Sequence, residues 1–346
     1  MGSVLSMTGT PPSFAGTPQA SATDHDVLTE MLRAVRLNGS VFLSANFSEP
    51  FGIQSPKRYD AAEPLAHMRH ISIFHLVAEG DCTVELKTGE RRTATAGDIL
   101  LLPFADSHRL SNGDAAETGF APDLVQPGPL KGMWGINYGG GGKPTRMVCG
   151  FIESSEFLFA PVFHTLPSIV IDRAGDDEVG ALLTSTVRQI LQLTDKAAAG
   201  SELMLGRLME LLFVEVLRRY AAQLPTGTKG LFAALNDNLV SRALQFVHND
   251  PSRRWTVEDL AREAGCSRTV LAERFNAVMG QAPIEYVTSW RMQIASDRIR
   301  NTSESLAAIA ADVGYESEAA FNRAFKRVTG ITPGRWRDEP KRHPLA

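Results

Sequence analysis

The sequence predicts a multidomain chain: an N-terminal all-β sandwich or barrel, a helical pair, and an all-α C-terminal domain of two helix-turn-helix units. Three observations carry this. Short β-rich runs separated by turn clusters fill the first half, the pattern of sandwiches and barrels. Two runs of three-to-four apolar spacing follow residue 170, and the last third holds an internal repeat at a spacing of 49 to 50 residues. At 346 residues, 43% hydrophobic and 21% charged, the composition is that of folded globular domains and argues against a disordered or collagen-like chain.

Residues 1–24 are rich in Gly, Ser, Thr and Pro, with too little to bury, and are expected to form a disordered tail. From 25 to 172 the runs 71–78, 82–86 and 99–102 alternate with turn signals such as Lys87-Thr-Gly-Glu90, Ala96-Gly97-Asp98 and the glycines 139–142. From 173 to 222 a helical pair is expected. Val179, Leu182, Leu183, Thr186 and Ile190 recur at helical spacing in its first member, and Met204, Leu208, Leu211, Leu212 and Glu215 in its second. The pair either packs on the β domain or forms a dimer seam through Leu208, Leu211 and Leu212. Residues 223–238, with Pro225, Gly227 and Gly230, read as a linker. The repeat lies in 239–338, and 339–346 reads as a tail.

Three scattered cysteines, Cys82, Cys149 and Cys266, form no disulfide framework and fit a reducing cytosol. No apolar run approaches the length of a membrane span, and the first residues lack a secretory pattern. A cytoplasmic protein with no membrane partner is expected. The net charge of −4 hides a split: 16 Lys+Arg against 13 Asp+Glu in 241–346, and 19 against 26 before it. The positive surplus lies with the repeat.

In the repeat, Leu260-Ala261 recurs as Ile309-Ala310, Gly265 as Gly314, Ser267 as Ser317, Leu271 as Phe321, Phe275 as Phe325 and Pro283 as Pro333. The second copy has one extra residue between its glycine and serine. Each copy has the physics of a helix-turn-helix. Ala261 or Ala310 lets a second helix cross closely. Gly265 or Gly314 can take the left-handed conformation that ends the first helix. Ser267 or Ser317 caps the next. Apolar side chains at i and i+4 pack one face, and the opposite face is free to enter a major groove. That face carries Arg268, Thr269, Asn276, Asn322, Arg323, Lys326 and Arg327, donors suited to bases and phosphates of double-stranded DNA.

Trp255-Thr-Val-Glu-Asp-Leu-Ala261, Gly265-Cys-Ser-Arg-Thr-Val-Leu271, Gly314-Tyr-Glu-Ser317, Phe321-Asn-Arg-Ala-Phe-Lys326 and Gly330-Ile-Thr-Pro333 resemble the AraC/XylS family of bacterial transcription regulators. The resemblance covers about 239–337. It implies two helix-turn-helix units joined by a long helix over 284–300, both reading one DNA site. Carried over by position, Arg268, Thr269, Ala272 and Glu273 of the first recognition helix and Glu318, Ala319, Asn322 and Arg323 of the second face the bases. Lys326 and Arg327 face phosphates. Ala272 has no hydrogen-bonding group, so the first helix is expected to specify less than the second.

Gly97-Asp-Ile-Leu-Leu-Leu-Pro103, followed by His108, resembles the second motif of the cupin barrel, with Ala105 where a glycine is usual. The expected fold is therefore a cupin-like barrel with a helical pair, followed by the tandem helix-turn-helix domain. The first cupin motif is incomplete: its carboxylate slot falls on Ile73 and a histidine slot on Met68. No metal, cofactor or catalytic residue is assigned. His67 and His70 are read as loop or edge residues, Cys149 as buried structure, and His75 and His108 as interior histidines that could touch a small-molecule effector. The expected function is a sequence-specific, homodimeric, DNA-binding transcription regulator. The alternative is a cupin-type metalloenzyme carrying a DNA-binding domain.

Overall fold

Strand alternation builds the first half of the chain. The computed structural model describes residues 27–29, 37–56, 71–114, 117–128, 130, 132–154, 166–173, 178–196, 198–225 and 227–338. The expected tails, Met68, His67 and His70 lie outside the described residues. In chain order the strands are β1 (Leu37–Ser48), β2 (Phe51–Gln54), β3 (Ile71–Glu79), β4 (Asp81–Leu86), β5 (Arg91–Thr95) and β6 (Asp98–Leu102). There follow β7 (His108–Asn112), β8 (Gly119–Phe120), a short helix α1 (Ala121–Leu124), β9 (Gln126–Pro127), β10 (Trp134–Gly139), β11 (Pro144–Ser154) and β12 (Val170–Arg173). They form a seven-stranded sheet, β12-β6-β3-β11-β1-β10-β9, and a five-stranded sheet, β5-β4-β7-β2-β8. The β region thus runs past residue 170 as one more strand, Val170↔Leu101 to Arg173↔Asp98.

Because successive side chains leave a strand on opposite faces, the near-continuous apolar runs of β3, β6 and β11 serve two cores. Ile73, Val77, Leu100, Leu102, Met147 and Phe151 fill the space between the sheets. Phe74, Leu76, Ile99, Leu101, Val148 and Ile152 face the other way, into a core shared with the helices. Ala105 adopts a left-handed φ of 51°, the conformation that the glycine usual at this place of the motif takes without strain.

The helical pair is α2 (Glu178–Asp195) and α3 (Ser201–Ala222). In α2, Leu183, Thr186 and Ile190 are buried, whereas Leu182, expected on the same face, is exposed. Helix α3 lies on β1, where Gly39 and Gly206 meet: a Cβ on either would approach the other's carbonyl oxygen to 2.6 Å. The three leucines of the expected seam separate. Leu212 is fully buried in the shared core and cannot belong to a seam, Leu208 is half-buried, and Leu211 is exposed beside Leu203 and Met204.

The stretch read as a linker contains a docked helix, α4 (Leu231–Leu235), whose Leu231, Phe232 and Ala234 are buried. Tyr220 of α3 meets Phe232 edge-on at 5.8 Å, and the Asn236 amide donates to the Ala221 carbonyl at 2.5 Å. The remaining helices are α5 (Asn238–Asn249), α6 (Val257–Ala264), α7 (Arg268–Met279), α8 (Pro283–Asn301), α9 (Leu306–Asp312), α10 (Glu318–Thr329) and α11 (Pro333–Asp338). One continuous set of buried side chains runs from Phe74 and Val148 through Leu212 and Phe232 to Leu271, Phe275 and Tyr286. The second helix-turn-helix unit has its own core of Met292, Ile299, Phe321, Phe325 and Trp336. No described helix is long and apolar enough to cross a membrane.

Candidate nucleic-acid interface and barrel cavity

Both repeat copies fold by the same local rules. In the first, Thr256 and Asp259 form a capping box at the start of α6, which ends at Gly265 with φ of 78°. The Gly265 N–H donates to the Arg262 carbonyl at 3.1 Å and the Cys266 N–H to Ala261 at 2.9 Å. In the second, Gly314 has φ of 83°, and the N–H groups of Gly314 and Tyr315 donate to Ala311 and Ala310, both at 2.9 Å. This paired closure satisfies the last carbonyls of a helix. Ser267 then accepts from the Val270 N–H at 3.3 Å and Ser317 from Ala320 at 3.2 Å, starting α7 and α10. Ala261 and Ala310 are buried at the helix crossings. The extra residue of the second copy falls in the turn, where Tyr315 and Glu316 stand against Cys266.

On α7, Arg268, Thr269, Glu273 and Asn276 are exposed and Ala272 is half-buried. Arg268 pairs with Glu258 at 2.9 Å with both groups largely exposed, a contact weak enough for DNA to displace. Arg274 is committed elsewhere, reaching at 2.6 Å the Asp237 carboxylate that caps α5. On α10, Glu318, Ala319, Arg323, Lys326 and Arg327 are exposed, and Ala319, Arg323 and Arg327 share one stripe at four-residue spacing. Asn322 departs from expectation: it is half-buried, and its side-chain oxygen is buried without a hydrogen-bond partner. It lies beside the packed face formed by Phe321 and Phe325 rather than fully opposite.

The two units are held together by a clamp invisible in the repeat pattern. From α8, Arg291 donates to the carbonyls of Pro251 at 2.7 Å and Arg253 at 2.8 Å, and its guanidinium lies 5.8 Å from the Tyr315 ring centre. Arg254 pairs with Glu316 at 2.9 Å. The loop before α6 is thus tied to the turn after α9.

Between the sheets, His75, His108 and Cys149 come together. Cys149 stands opposite His75 in the β3–β11 register, and β7 brings His108 across from the other sheet. His75 Nδ1 lies 2.7 Å from Cys149 Sγ, His75 Nε2 lies 2.9 Å from His108 Nε2, and His108 Nδ1 lies 2.8 Å from the Asp106 carbonyl. A carbonyl can only accept, so His108 Nδ1 carries its proton and Nε2 accepts from His75 Nε2–H. His75 Nδ1 is left to accept from the Cys149 thiol. Both imidazoles are neutral. Burial, with the second ring's charge adding to it, holds His75 well below its usual range, and burial brings His108 down to about 4. Burial also raises the Cys149 thiol, so it is not a poised nucleophile.

The trio lines a cavity of about 140 Å³, walled by Phe42, Ile53, Leu110, Trp134 and Ile136 among others. Ile73, in the carboxylate slot of the cupin motif, is part of that wall. His75 and His108 were legible as interior histidines, whereas Cys149 as their partner was not, since only the register of strands 74 residues apart joins them.

Residues 26–222 match the cupin family and residues 260–339 a helix-turn-helix domain family. An AraC-like transcription regulator of Streptomyces antibioticus is 37% identical over 268 residues, covering 77% of this chain and 87% of its own length. The chain belongs to the AraC-like transcription regulators. A second such regulator, from Streptomyces lividans, is 44% identical over 270 residues, covering 77% of this chain and 86% of itself. Among solved structures, ToxT of Vibrio cholerae covers 88% of this chain and 97% of its own at 12% identity, with a TM-score of 0.34. By the two family matches and the Streptomyces relatives, this AraC-like regulator carries a DNA-binding helix-turn-helix domain behind a cupin domain, and the family match to the cupin takes in α2 and α3 as well as the strands.

Proposed function

We propose that this regulator reads one DNA site with α7 and α10 and that its barrel senses a small molecule in the cytoplasm. Base reading is assigned to Arg268, Thr269, Ala272, Glu273, Glu318, Ala319 and Arg323, and phosphate contact to Lys326 and Arg327. Asn322 reads a base only after its amide turns outward from its present position. The divisions 25–172, 173–222, 223–238 and 239–338 serve sensing, signal transfer or dimerisation, connection and DNA binding. The reading rests on one observation: two copies of the same capped turn each present an exposed, donor-bearing helix face. His75 and His108 line the cavity, and no catalytic role is assigned to them. Stoichiometric iron or manganese in the purified full chain would instead favour the metalloenzyme alternative.

A library of substituted operators tests the assignment. Arg323→Ala should lose discrimination of ~1–3 kcal/mol at one or two base pairs. Lys326→Ala and Arg327→Ala should weaken binding to all sequences alike and lower the salt slope by about 1 each. A uniform loss for Arg323→Ala would rank it with the phosphate contacts. The full chain is the right material, because a cut before α4 would open the core that joins α3 to the first unit.

The exposed Leu203, Met204 and Leu211 support a homodimer through α3. Leu211→Glu should give a folded monomer by sedimentation, with operator affinity lowered through lost avidity. A dimer that persists would return this face to packing alone. Leu212→Glu should unfold the protein, since it buries a charge in the shared core.

A further inference from the structure

We infer that the barrel cavity takes an uncharged, mostly hydrocarbon molecule bearing no more than one or two hydrogen-bond acceptors. This rests on the sensor reading above and specifies its ligand class.

The size comes first. An apolar cavity of about 150 Å³ stays dry and holds benzene, so a space of about 140 Å³ suits roughly six to ten heavy atoms. The walls come next. Phe42, Leu43, Ile73, Leu110, Trp134 and Ile136 supply apolar surface on several sides, and among the described lining residues only Asp106 carries a charge. A carboxylate or phosphate placed here would find no cationic side chain among them. To make one, a proton would have to be added to His75 or His108, against the burial that keeps both neutral.

The polar atoms then set what the ligand can offer. The proton order from Cys149 to His75 to His108 to the Asp106 carbonyl uses both nitrogens of both rings. No imidazole donor is left over for a ligand. Ser55 differs. Its oxygen accepts from the His108 backbone N–H at 2.8 Å, while its hydroxyl proton has the Pro56 carbonyl at 3.5 Å, too long to hold it firmly. Because His108 Nδ1 already carries a proton, the Ser55 hydroxyl at 3.2 Å cannot donate there. The cavity therefore offers the Ser55 hydroxyl as a donor beside an apolar wall, and the indole N–H of Trp134 in that wall is the second donor its described side chains supply. That matches a ketone, ether or alcohol oxygen on a hydrocarbon frame, or a hydrocarbon alone. A sugar would bury several hydroxyls without partners, each costly.

The test uses the full chain with ethylbenzene, acetophenone, benzoate and benzylammonium, four probes of similar size. Trp134 lies in the wall, so binding is read as the part of the fluorescence change that Trp134→Phe removes, and independently as a shift in Tm. Ethylbenzene and acetophenone should bind saturably at pH 7.5, and both charged probes should be weaker by on the order of 100-fold. Benzoate finds no cationic side chain among the described lining residues, and for benzylammonium the one lining carboxylate among them, Asp106, is exposed to water rather than set among the apolar walls. Ile136→Phe, which fills the space, should abolish the response, and Leu43→Phe on the half-buried wall repeats the test should the first variant fold poorly. A charged probe within tenfold of acetophenone overturns the ligand class. If Ile136→Phe removes that binding too, the barrel remains the sensor. Silence from all four probes overturns the inference. Should acetophenone bind yet leave operator affinity unchanged, the sensor reading fails while the cavity's chemistry stands.

Discussion

Gly314→Ala should destabilise the second helix-turn-helix unit by about 3 kcal/mol or more, whereas Gly265→Ala in the first should cost only about 1–2 kcal/mol. Both glycines hold left-handed φ, 83° and 78°, and a Cβ strains either by the same backbone mechanism. They differ in what stands beside them. A Cβ on Gly265 would meet its nearest neighbour, the Arg242 guanidinium, at an ordinary 3.6 Å. On Gly314 it would meet the Ser252 carbonyl oxygen at 2.3 Å and Arg291 Nη2 at 2.8 Å. Backbone cannot move aside as a flexible side chain can. Ser252 lies in the clamp that ties the first unit to the second, so relief must come from separating them. Urea unfolding of both variants measures the first effect. The second should appear as lost affinity for an operator with both half-sites and little change for a single half-site. Equal losses in the two variants would mean that the clamp does not fix the orientation of the recognition helices.

The helix-turn-helix units were legible because their determinants are local: a cap, a small residue, a glycine and an i, i+4 apolar pair all act within one turn or two. The expected joining helix over 284–300 forms as Pro283–Asn301, bounded by a proline suited to a first turn. The barrel was legible only where turns punctuate apolar runs. β1 is twelve residues long yet was not singled out, because Ser40, Ser44 and Asn46 interrupt it with polar residues of low strand preference. Helix α4 is too short to show a period and sits among glycines and a proline, so its packing comes from tertiary contact. The clamp around Arg291 and the pairing of Asp237 with Arg274 join residues 37 to 40 positions apart. A linear pattern carries no sign of such contacts.

Unfolding should become steeply easier as pH falls below about 6.5, with three buried histidines acting together. Burial holds His75 well below its usual range, brings His108 to about 4 and His248 to about 3. His248 sits in the first helix-turn-helix core, 2.7 Å from the Tyr286 hydroxyl and stacked on Trp290 with ring centres 4.0 Å apart. Unfolded, all three would titrate near 6.5. Between that value and their folded ones, the unfolded chain binds protons that the folded chain refuses. Stability is therefore fully present above about 6.5 and is lost towards about 4, at up to about 1.4 kcal/mol per group and pH unit. With three groups the slope reaches about 4 kcal/mol per unit, against a total of about 5–15 for a typical domain. The carboxyls of Asp106, Glu153 and Asp172 are raised by burial. They oppose this trend, but only as pH approaches the carboxylate range. Urea unfolding from pH 7.5 to 5 measures the slope, and His248→Gln and His108→Asn should each remove about one proton from it. The two losses should also separate in space, near-ultraviolet signals of Trp290 following His248 and those of Trp134 following His108. A slope unchanged in both variants would place the acid sensitivity instead in carboxylates held low by their partners, such as Asp259 beside Thr256 and Arg262 and Glu304 beside Arg298.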